Sequence, residues 1–193
     1  MIFVGGVPRS CTSAIMMCLK NSGFYIGNEG SLHGHKYKSE YQPLGLTLQW
    51  LLSEKKTLNK DEWVILNNVA TYTVKSGVEA IKVFNFCYVL QILKDHPICK
   101  KAKYIIMSRD IDEAVISANR IDSKKFNSNK VFNQLSRTWD FGTRGLPRIK
   151  IIHNDVIHNT GDVKKKLSNF LGRSIDMSII SSKEIYLESG VVN

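Results

Sequence analysis

The chain has 193 residues, 43% of them hydrophobic and 23% charged. Its length suits one compact domain rather than two, and its composition excludes both a disordered chain and a membrane-embedded one. Lysine and arginine number 27 against 17 aspartate and glutamate residues, so the net charge is +10 and indicates an anionic partner, whether nucleic acid, membrane surface or small molecule.

Cysteine spacing and the first residues indicate a reducing compartment. The four cysteines form no C-x-x-C pair, so neither a disulfide framework nor a zinc site is predicted. The apolar run at residues 2–7 is interrupted by Pro8 and Arg9 before it reaches the length of a signal peptide or a membrane span. We therefore expect a cytoplasmic chain with no membrane partner.

Short apolar runs rich in β-branched residues alternate with longer helical patterns, which is typical of βα units and a mainly parallel sheet. Strands are predicted at residues 2–4, 80–84, 104–107 and 149–152. Helices are predicted at residues 12–21, 43–54, 88–94, 110–121, 129–140 and 160–171. Residues 27–42 are predicted as a long polar loop, and residues 55–77 fit either a helix or a strand. The predicted fold class is α/β, a three-layer sandwich in one domain over residues 1–193, with a central, mainly parallel sheet of four or five strands flanked by helices.

The first predicted strand runs into a loop and a helix start, where backbone amides and the helix dipole can hold phosphate groups. This loop, residues 5–13, carries one arginine, one cysteine and three hydroxyls: Arg9, Ser10, Cys11, Thr12 and Ser13. It lacks the second glycine and the lysine of a nucleotide-triphosphate loop, G-x-x-x-x-G-K-[ST]. An arginine with several hydroxyls suits a group that bears oxygens on several sides and needs no metal. The alternative is an ordinary helix cap beside a solvated arginine.

A second basic position follows the third predicted strand. Arg109 stands at the carboxyl end of this strand, where ligands gather in open α/β sheets. Ser117 lies eight residues on, on a face of the next helix from which it can share an anion with Arg109. The alternative is a surface salt bridge from Arg109 to Asp112 or Glu113. Two anion sites at one sheet edge predict one ligand with two phosphate-like ends.

These motifs resemble those of the sulfotransferase family, whose donor is 3′-phosphoadenosine 5′-phosphosulfate (PAPS). Residues 6–13 (GVPRSCTS) resemble the family's 5′-phosphosulfate loop, x-x-P-[RK]-S-G-T-[ST]. Ser108-Arg109-Asp110 with Ser117 resembles its 3′-phosphate motif. Residues 151–156 and 169–172 resemble the family's Y-E-D-L segment and F-L-G helix end. The resemblance implies a P-loop-like sulfotransferase of the small bacterial or viral type, which uses PAPS, releases 3′-phosphoadenosine 5′-phosphate (PAP) and requires no metal.

The chain departs from the family pattern at three points. Cys11 replaces the loop glycine, so a positive φ at this position would strain the backbone. Ile111 replaces the proline that usually follows Arg-Asp. The R-K-G segment that contacts the 3′-phosphate in animal cytosolic enzymes has no clear match after Gly172.

The resemblance also implies roles for the motif residues. Arg9 and the amides of residues 10–13 would hold the transferred group and the leaving oxygen, while Arg109 and Ser117 would hold the 3′-phosphate. The expected donor-binding residues are Arg9, Ser10, Cys11, Thr12, Ser13, Arg109 and Ser117. Lys82 resembles the lysine of the family's K-x-[PM] strand and would orient donor or acceptor. Its alternative is a strand-edge lysine that reaches solvent.

Sulfuryl transfer needs a base for the acceptor proton. Glu29 falls where bacterial relatives carry a glutamate after the first helix, so the resemblance implies this residue. His33 and His35 lie in the same loop, and an imidazole with a pKa of about 6.5 suits proton transfer at neutral pH. A solvated loop side chain is the alternative for all three, and a His-x-His metal pair is not favoured because no third ligand stands at metal spacing.

The acceptor is expected to be a small molecule or glycan, with no nucleic-acid partner, and the oligomeric state stays open. Residues 27–42 and 55–77 are the segments expected to recognise the acceptor, because substrate-binding loops are the most variable parts of an enzyme scaffold. Four residues near one another in sequence can also contribute: Arg137, Trp139, Arg144 and Arg148. A core tryptophan beside a solvated basic loop explains these four residues equally well. Residues 164–166, all lysine, are most simply the solvent-exposed face of an amphipathic helix.

Two other functions stay open at this point. A P-loop-type kinase or nucleotide phosphotransferase suits the fold, but the missing lysine and glycine argue against it. A non-catalytic binder of polyanions or nucleic acid suits the sequence pI of about 9.5. No interleaved aromatic and basic stripe of the kind that stacks bases supports the second alternative.

Overall fold

The computed structural model describes residues 1–27, 29–30, 40–52, 58–82, 84–120 and 128–181. In chain order its strands are β1 (Ile2–Gly6), β2 (Glu29–Gly30), β3 (Glu40–Tyr41), β4 (Ala80–Lys82), β5 (Lys103–Ser108) and β6 (Arg148–Ile152). Its α-helices are α1 (Thr12–Asn21), α2 (Gln42–Leu52), α3 (Lys60–Lys75), α4 (Pro97–Lys100), α5 (Ile111–Asn119), α6 (Asn129–Gly142), α7 (His153–His158) and α8 (Thr160–Leu171), with 3₁₀ helices at Phe84–Tyr88 and Ser178–Ser181. Within these ranges no helix is both long and apolar enough to cross a membrane.

The centre of the fold is a parallel sheet of four strands in the order β4-β1-β5-β6. β1 and β5 are short, apolar and nearly completely buried, as expected for central strands of a parallel sheet that is covered on both faces. The predicted α/β class with a parallel sheet of four strands is therefore confirmed. β2 and β3 form a separate antiparallel pair within the segment predicted as a loop.

Helices cover both faces of the sheet because successive side chains of a strand point to opposite sides. Phe3 of β1 belongs to a core that includes Leu66 of α3 and Trp139 of α6. Its neighbour Val4 belongs to a second core, with Ile15 of α1 and residues of α8. The two cores make the three layers of the sandwich.

One predicted helix is wrong. In the range 88–94, an apolar run at helical spacing, Tyr88 ends a 3₁₀ helix and residues 89–94 form turns and a bend. His96 caps α4, because its Nδ1 accepts a hydrogen bond from the amide of Ile98 at 3.1 Å. Pro97 is then the first helical residue, a position where its missing N–H costs nothing.

Two further helices were not assigned from the pattern. Residues 55–77 contain α3, which begins with a capping box: the Glu62 amide donates to Asn59 Oδ1 at 3.0 Å, and the Asn59 amide donates to Glu62 Oε2 at 2.8 Å. The six residues of α7 follow β6 without a break. The predicted strand at 80–84 ends at Lys82, and Phe84 opens the first 3₁₀ helix.

Candidate functional site

The carboxyl ends of the four parallel strands bring the predicted site residues to one edge of the sheet. Met107 of β5 pairs with Gly6 of β1, and Ser108 pairs with Ile152 of β6. The loop after β1, Arg109 after β5 and His153 after β6 therefore start at the same edge, where ligands bind in open α/β sheets.

The backbone of the loop after β1 turns sharply. Gly6 has φ 124°, and a Cβ there would collide with the carbonyl oxygen of Met107, so only glycine fits. Arg9 and Cys11 have φ 63° and 66°, in the left-handed region that non-glycine residues rarely adopt. Cys11 thus holds the strained conformation that its replacement of glycine predicts.

Side-chain contacts hold this loop against α1 and β4. The buried hydroxyl of Ser10 donates to the carbonyl of Val7 within the loop. The ammonium of Lys82 donates to Ser13 Oγ at 2.8 Å and lies 5.1 Å from the centroid of the Phe84 ring. Lys82 is only 3% exposed, so it is not a strand-edge lysine that reaches solvent. Its charge lies at the first turn of α1, on the side of the loop.

The two predicted anion motifs meet in space. Arg9 Nε donates to Ser117 Oγ at 3.3 Å, across 108 positions of sequence. Arg109 Nη1 donates to the backbone carbonyl of Arg9 at 2.8 Å. The side chain of Arg109 is 8% exposed and that of Ser117 is buried, so both are set into the protein. Two guanidinium groups and several hydroxyl and amide donors therefore converge on one place.

Arg109 also makes the salt bridge that was its alternative role. Its Nε lies 3.4 Å from Glu113 Oε2, one turn along α5. Because Glu113 is half exposed, this pair contributes only about 0–1 kcal/mol to stability. The salt bridge uses Nε of Arg109, whereas Nη1 donates to the Arg9 carbonyl, so both contacts occur together.

Local sequence explains the position of Ser117. Asp110 caps α5 by accepting a hydrogen bond from the Glu113 amide at 3.0 Å. The helix then packs its small residues, including Ala114, against Val7 of the loop after β1 and Phe132 of α6. This packing puts the helix close to the loop, so Ser117 can reach Arg9.

The thiol of Cys11 is not a reactive group. Burial raises its pKa to about 11, although the positive charges of Arg109 and Arg9 oppose this shift. At neutral pH the thiol is therefore protonated, and the nucleophilic thiolate is scarce. Cys11 can therefore contribute its backbone amide to the loop, but not a thiolate.

His153 is a site residue that the sequence pattern did not single out. It is 1% exposed and begins α7 directly after β6. Its Nδ1 lies 3.1 Å from Asn154 Oδ1, and its Nε2 has no hydrogen-bond partner among the described residues. Burial lowers its pKa, as do Arg109 and Arg9, whereas the Asn154 contact and Glu113 raise it. The feature of the sequence that could have indicated His153 is its position directly after the predicted strand at residues 149–152, at the same edge of the sheet as Arg109.

The predicted base is placed only in part. The backbone of Glu29 lies in β2 opposite Tyr41, and β3 packs beside β4, the strand of Lys82. The side chain of Glu29 is outside the described part of the chain, as are His33 and His35. The role of each as a base stays a prediction.

The four residues considered for an acceptor cleft do not converge at this edge. Trp139 is completely buried, and its ring lies where a side chain at Gly5 would otherwise be, so it is a core residue. Arg148 donates to the Asp140 carbonyl at 2.8 Å and closes the end of α6. Arg137 is exposed on α6, and the Arg144 guanidinium lies 6.0 Å from the Phe141 ring centroid, on the surface.

Comparison with known proteins shows the fold. No family model matches the chain, and no curated protein matches it in sequence. Among solved structures, the sulfotransferase domain of the Synechococcus PCC 7002 olefin synthase superimposes with a TM-score of 0.57 at 17% identity, covering 94% of this chain and 77% of that one. The YorR protein of Bacillus subtilis, in complex with phosphorylated GDP, has a TM-score of 0.52 at 13% identity, covering 89% of this chain and 96% of that one. The fold is therefore P-loop-like, and identities this low do not choose between the functions of the two proteins.

Proposed function

We propose that this chain is a sulfotransferase that moves a sulfuryl group from PAPS to a hydroxyl or amine of a small molecule or glycan. The observation that carries the proposal is the convergence of Arg9, Ser117 and Arg109, since it joins two anion motifs far apart in sequence. Two such motifs at one sheet edge suit a ligand with an anionic group at each of two ends, as PAPS has.

The 5′ end of the donor would lie on the loop after β1. The amides that open α1 point their N–H groups out of the helix, where the dipole is positive. Arg9 adds a guanidinium that suits planar or tetrahedral oxyanions, and Lys82 adds a charge beside Ser13. All of these groups donate hydrogen bonds, so the set fits a ligand that accepts them.

The 3′-phosphate would lie against Arg109 and Ser117. A guanidinium that is mostly buried binds phosphate more strongly than a solvated one, because little water competes for its N–H groups. An ordinary adenylate lacks the 3′-phosphate and would leave this end of the site unfilled. This contact would give selectivity for PAPS.

Transfer would proceed by in-line displacement at sulfur. The acceptor oxygen or nitrogen bonds to sulfur as the bond from sulfur to the bridging phosphate oxygen breaks, and the acceptor proton passes to a base, for which Glu29 is the proposed residue. Negative charge then grows on the bridging oxygen, and Arg9 and Lys82 would stabilise it. Catalysis in this scheme comes from placement and electrostatics.

Calorimetric titration with PAP, beside ADP and beside ATP with magnesium, tests the proposal. We expect PAP to bind without metal and Arg109→Ala to weaken it about 100-fold, the loss of one buried charge-assisted contact worth roughly 2–3 kcal/mol. Arg137→Ala, which removes an exposed arginine of α6, is the matched control and should leave PAP binding unchanged.

The opposite selectivity would contradict the proposal. If PAP does not bind and magnesium-ATP does, the sulfotransferase proposal is wrong and the result argues for the alternative, a nucleotide phosphotransferase. If neither nucleotide binds and a polyanion does, the basic charge alone accounts for binding.

A further inference from the structure

The starting observation is a buried imidazole nitrogen at the anion site. His153 is 1% exposed, and its Nε2 has no hydrogen-bond partner among the described residues. Buried polar atoms are nearly always hydrogen-bonded, and an exception calls for a physical explanation. His153 follows Ile152, the register partner of Ser108, and Arg109 follows Ser108, so the two side chains start from adjacent strands at one level.

The contact of the other ring nitrogen sets the hydrogen positions. Asn154 Oδ1 lies 3.1 Å from His153 Nδ1 and can only accept a hydrogen bond. The hydrogen of this contact is therefore on His153 Nδ1. In the neutral imidazole Nε2 is then an acceptor, and it cannot donate to a phosphate oxygen. It becomes a donor only after it gains a proton.

Burial, and then the arginines around the ring, lower the pKa of His153 and favour the neutral imidazole when no anion is bound. Arg109, at the end of β5, and Arg9, in the loop after β1, are positive and disfavour a second proton on the imidazole. Glu113 of α5 opposes them, but its carboxylate is shared with Arg109 and half exposed. Burial is the largest cause and acts in the same direction as the arginines.

A bound phosphate would reverse this balance. Two negative charges beside the ring attract a proton to Nε2, and the phosphate oxygens accept the hydrogen bond that results. A phosphate monoester has its own second pKa at about 6, so at pH 7 the free ligand is mostly a dianion and the extra proton comes from solvent. The complex then holds up to one proton more than the separate molecules hold at neutral pH.

We propose that His153 is a further ligand of the 3′-phosphate pocket and that its Nε2 takes up a proton from solvent when a bisphosphate binds. The inference rests on the proposed function, since it needs a ligand with a phosphate at this end of the site. His153 is a binding residue in this account, not the base for the acceptor. Donor affinity then falls as the pH rises through the pKa of His153 in the complex.

Proton uptake can be counted by calorimetry. PAP is titrated at pH 7 in two buffers of different ionisation enthalpy, because the difference in heat gives the number of protons bound. We expect the wild-type chain to take up about 0.5–1 proton more than His153→Gln, whose amide still hydrogen-bonds but does not titrate. The Kd of the wild type should also rise with pH between 6 and 8 more steeply than that of the variant, by up to about tenfold per pH unit.

His158→Gln is the matched control, since it removes an exposed histidine from the last turn of the same helix. Its proton count should equal that of the wild type. If PAP binds wild type and His153→Gln with the same proton count, the inference is wrong and the proposed function stands. If PAP binds neither the wild type nor the control, the proposed function itself is wrong.

A second measurement covers the outcome that His153→Gln does not fold. The imidazole resonances of the five histidines can be followed by NMR against pH, with and without PAP. We expect one imidazole whose pKa lies below its ordinary value in the free chain to show a clear rise in pKa when PAP is added. The absence of any such histidine when PAP is bound would overturn the inference.

Discussion

The residues after β1 show how backbone conformation prepares the anion site. Gly6, Arg9 and Cys11 all have positive φ, and each of the two non-glycine residues costs roughly 1–3 kcal/mol of conformational energy. The hydroxyl of Ser10 on the Val7 carbonyl and the packing of the loop against α5 hold this conformation. The backbone strain is thus concentrated at the loop that we propose binds the 5′ end of the donor.

Substitution of Cys11 tests this backbone strain directly. Because its thiol is protonated at neutral pH, changes at position 11 act through packing and backbone. We expect Cys11→Gly to stay within about 1 kcal/mol of the wild type, since glycine accepts the left-handed conformation but raises the entropy of the unfolded chain. Cys11→Val should be less stable than Cys11→Gly by about 2 kcal/mol, because a β-branched residue fits this region worst.

Urea unfolding of the two Cys11 variants measures this difference. Equal unfolding free energies for glycine and valine would show that position 11 does not hold a positive φ. Cys18→Val makes the same substitution on the buried face of α1, where φ is helical. Its effect on the free energy of unfolding shows what the larger side chain costs when the backbone is not strained.

Among the elements, α3 depends on its first residues. Asn59 and Glu62 satisfy two amides that would otherwise lack partners at the start of the helix. We expect Asn59→Ala to lower the free energy of unfolding by about 1 kcal/mol. Asn68→Ala, an exposed position in the middle of α3, should leave stability unchanged or raise it slightly, because alanine has the higher helix propensity.

Chemical denaturation gives both stabilities, and hydrogen exchange of the first amides of α3 locates the effect. An Asn59→Ala chain as stable as the wild type, with unchanged exchange at Glu62, would mean that the capping box contributes little. A loss of equal size in Asn68→Ala would mean that the effect does not come from the cap.

How well each element could be predicted follows from what stabilises it. β1 and β5 were predictable because a buried parallel strand needs an apolar, β-branched run. The helix predicted at residues 88–94 is wrong because apolar spacing reports burial, and a 3₁₀ helix followed by turns can bury the same side chains. α7 was missed because a six-residue helix spans too few positions to show a period.

At the scale of the whole molecule, the sequence could indicate only those residues of the candidate site whose position follows from the local order of strand, loop and helix. Strand, loop and helix in succession marked Arg9 and Arg109, since the carboxyl ends of parallel strands share an edge. The contact of Arg9 with Ser117 and the importance of His153 depend on how distant segments pack. Burial and an unpaired nitrogen are properties of the folded chain, and no local pattern encodes them.

The stability of the free chain should depend on pH through two histidines, the buried His153 and the partly buried His96. Burial lowers the pKa of both His153 and His96 below its ordinary value, so at mildly acidic pH the unfolded chain binds more protons than the folded one. This stabilisation is complete above about pH 6.5, the unfolded value, and is lost as the pH falls toward the folded value. We expect the free energy of unfolding to fall below pH 6.5, and to fall less in His153→Gln.

Urea unfolding at intervals between pH 5 and 8 gives the two curves. Carboxylates contribute equally to both chains, so the difference between them reports His153. Parallel curves for wild type and His153→Gln would show that the imidazole has the same proton affinity in the folded and unfolded chains.

The central place of β1 in the sheet has a consequence for the order of assembly. β1 pairs with β4 and β5, which both come much later in the chain. Contacts between distant segments form late, because closing a long loop costs entropy before any contact compensates it. During synthesis β1 has no partner strand until β4 and then β5 have left the ribosome. Arg9 and Arg109 can meet only after that point, so a chain that stalls before β5 has emerged could not bring these two side chains together.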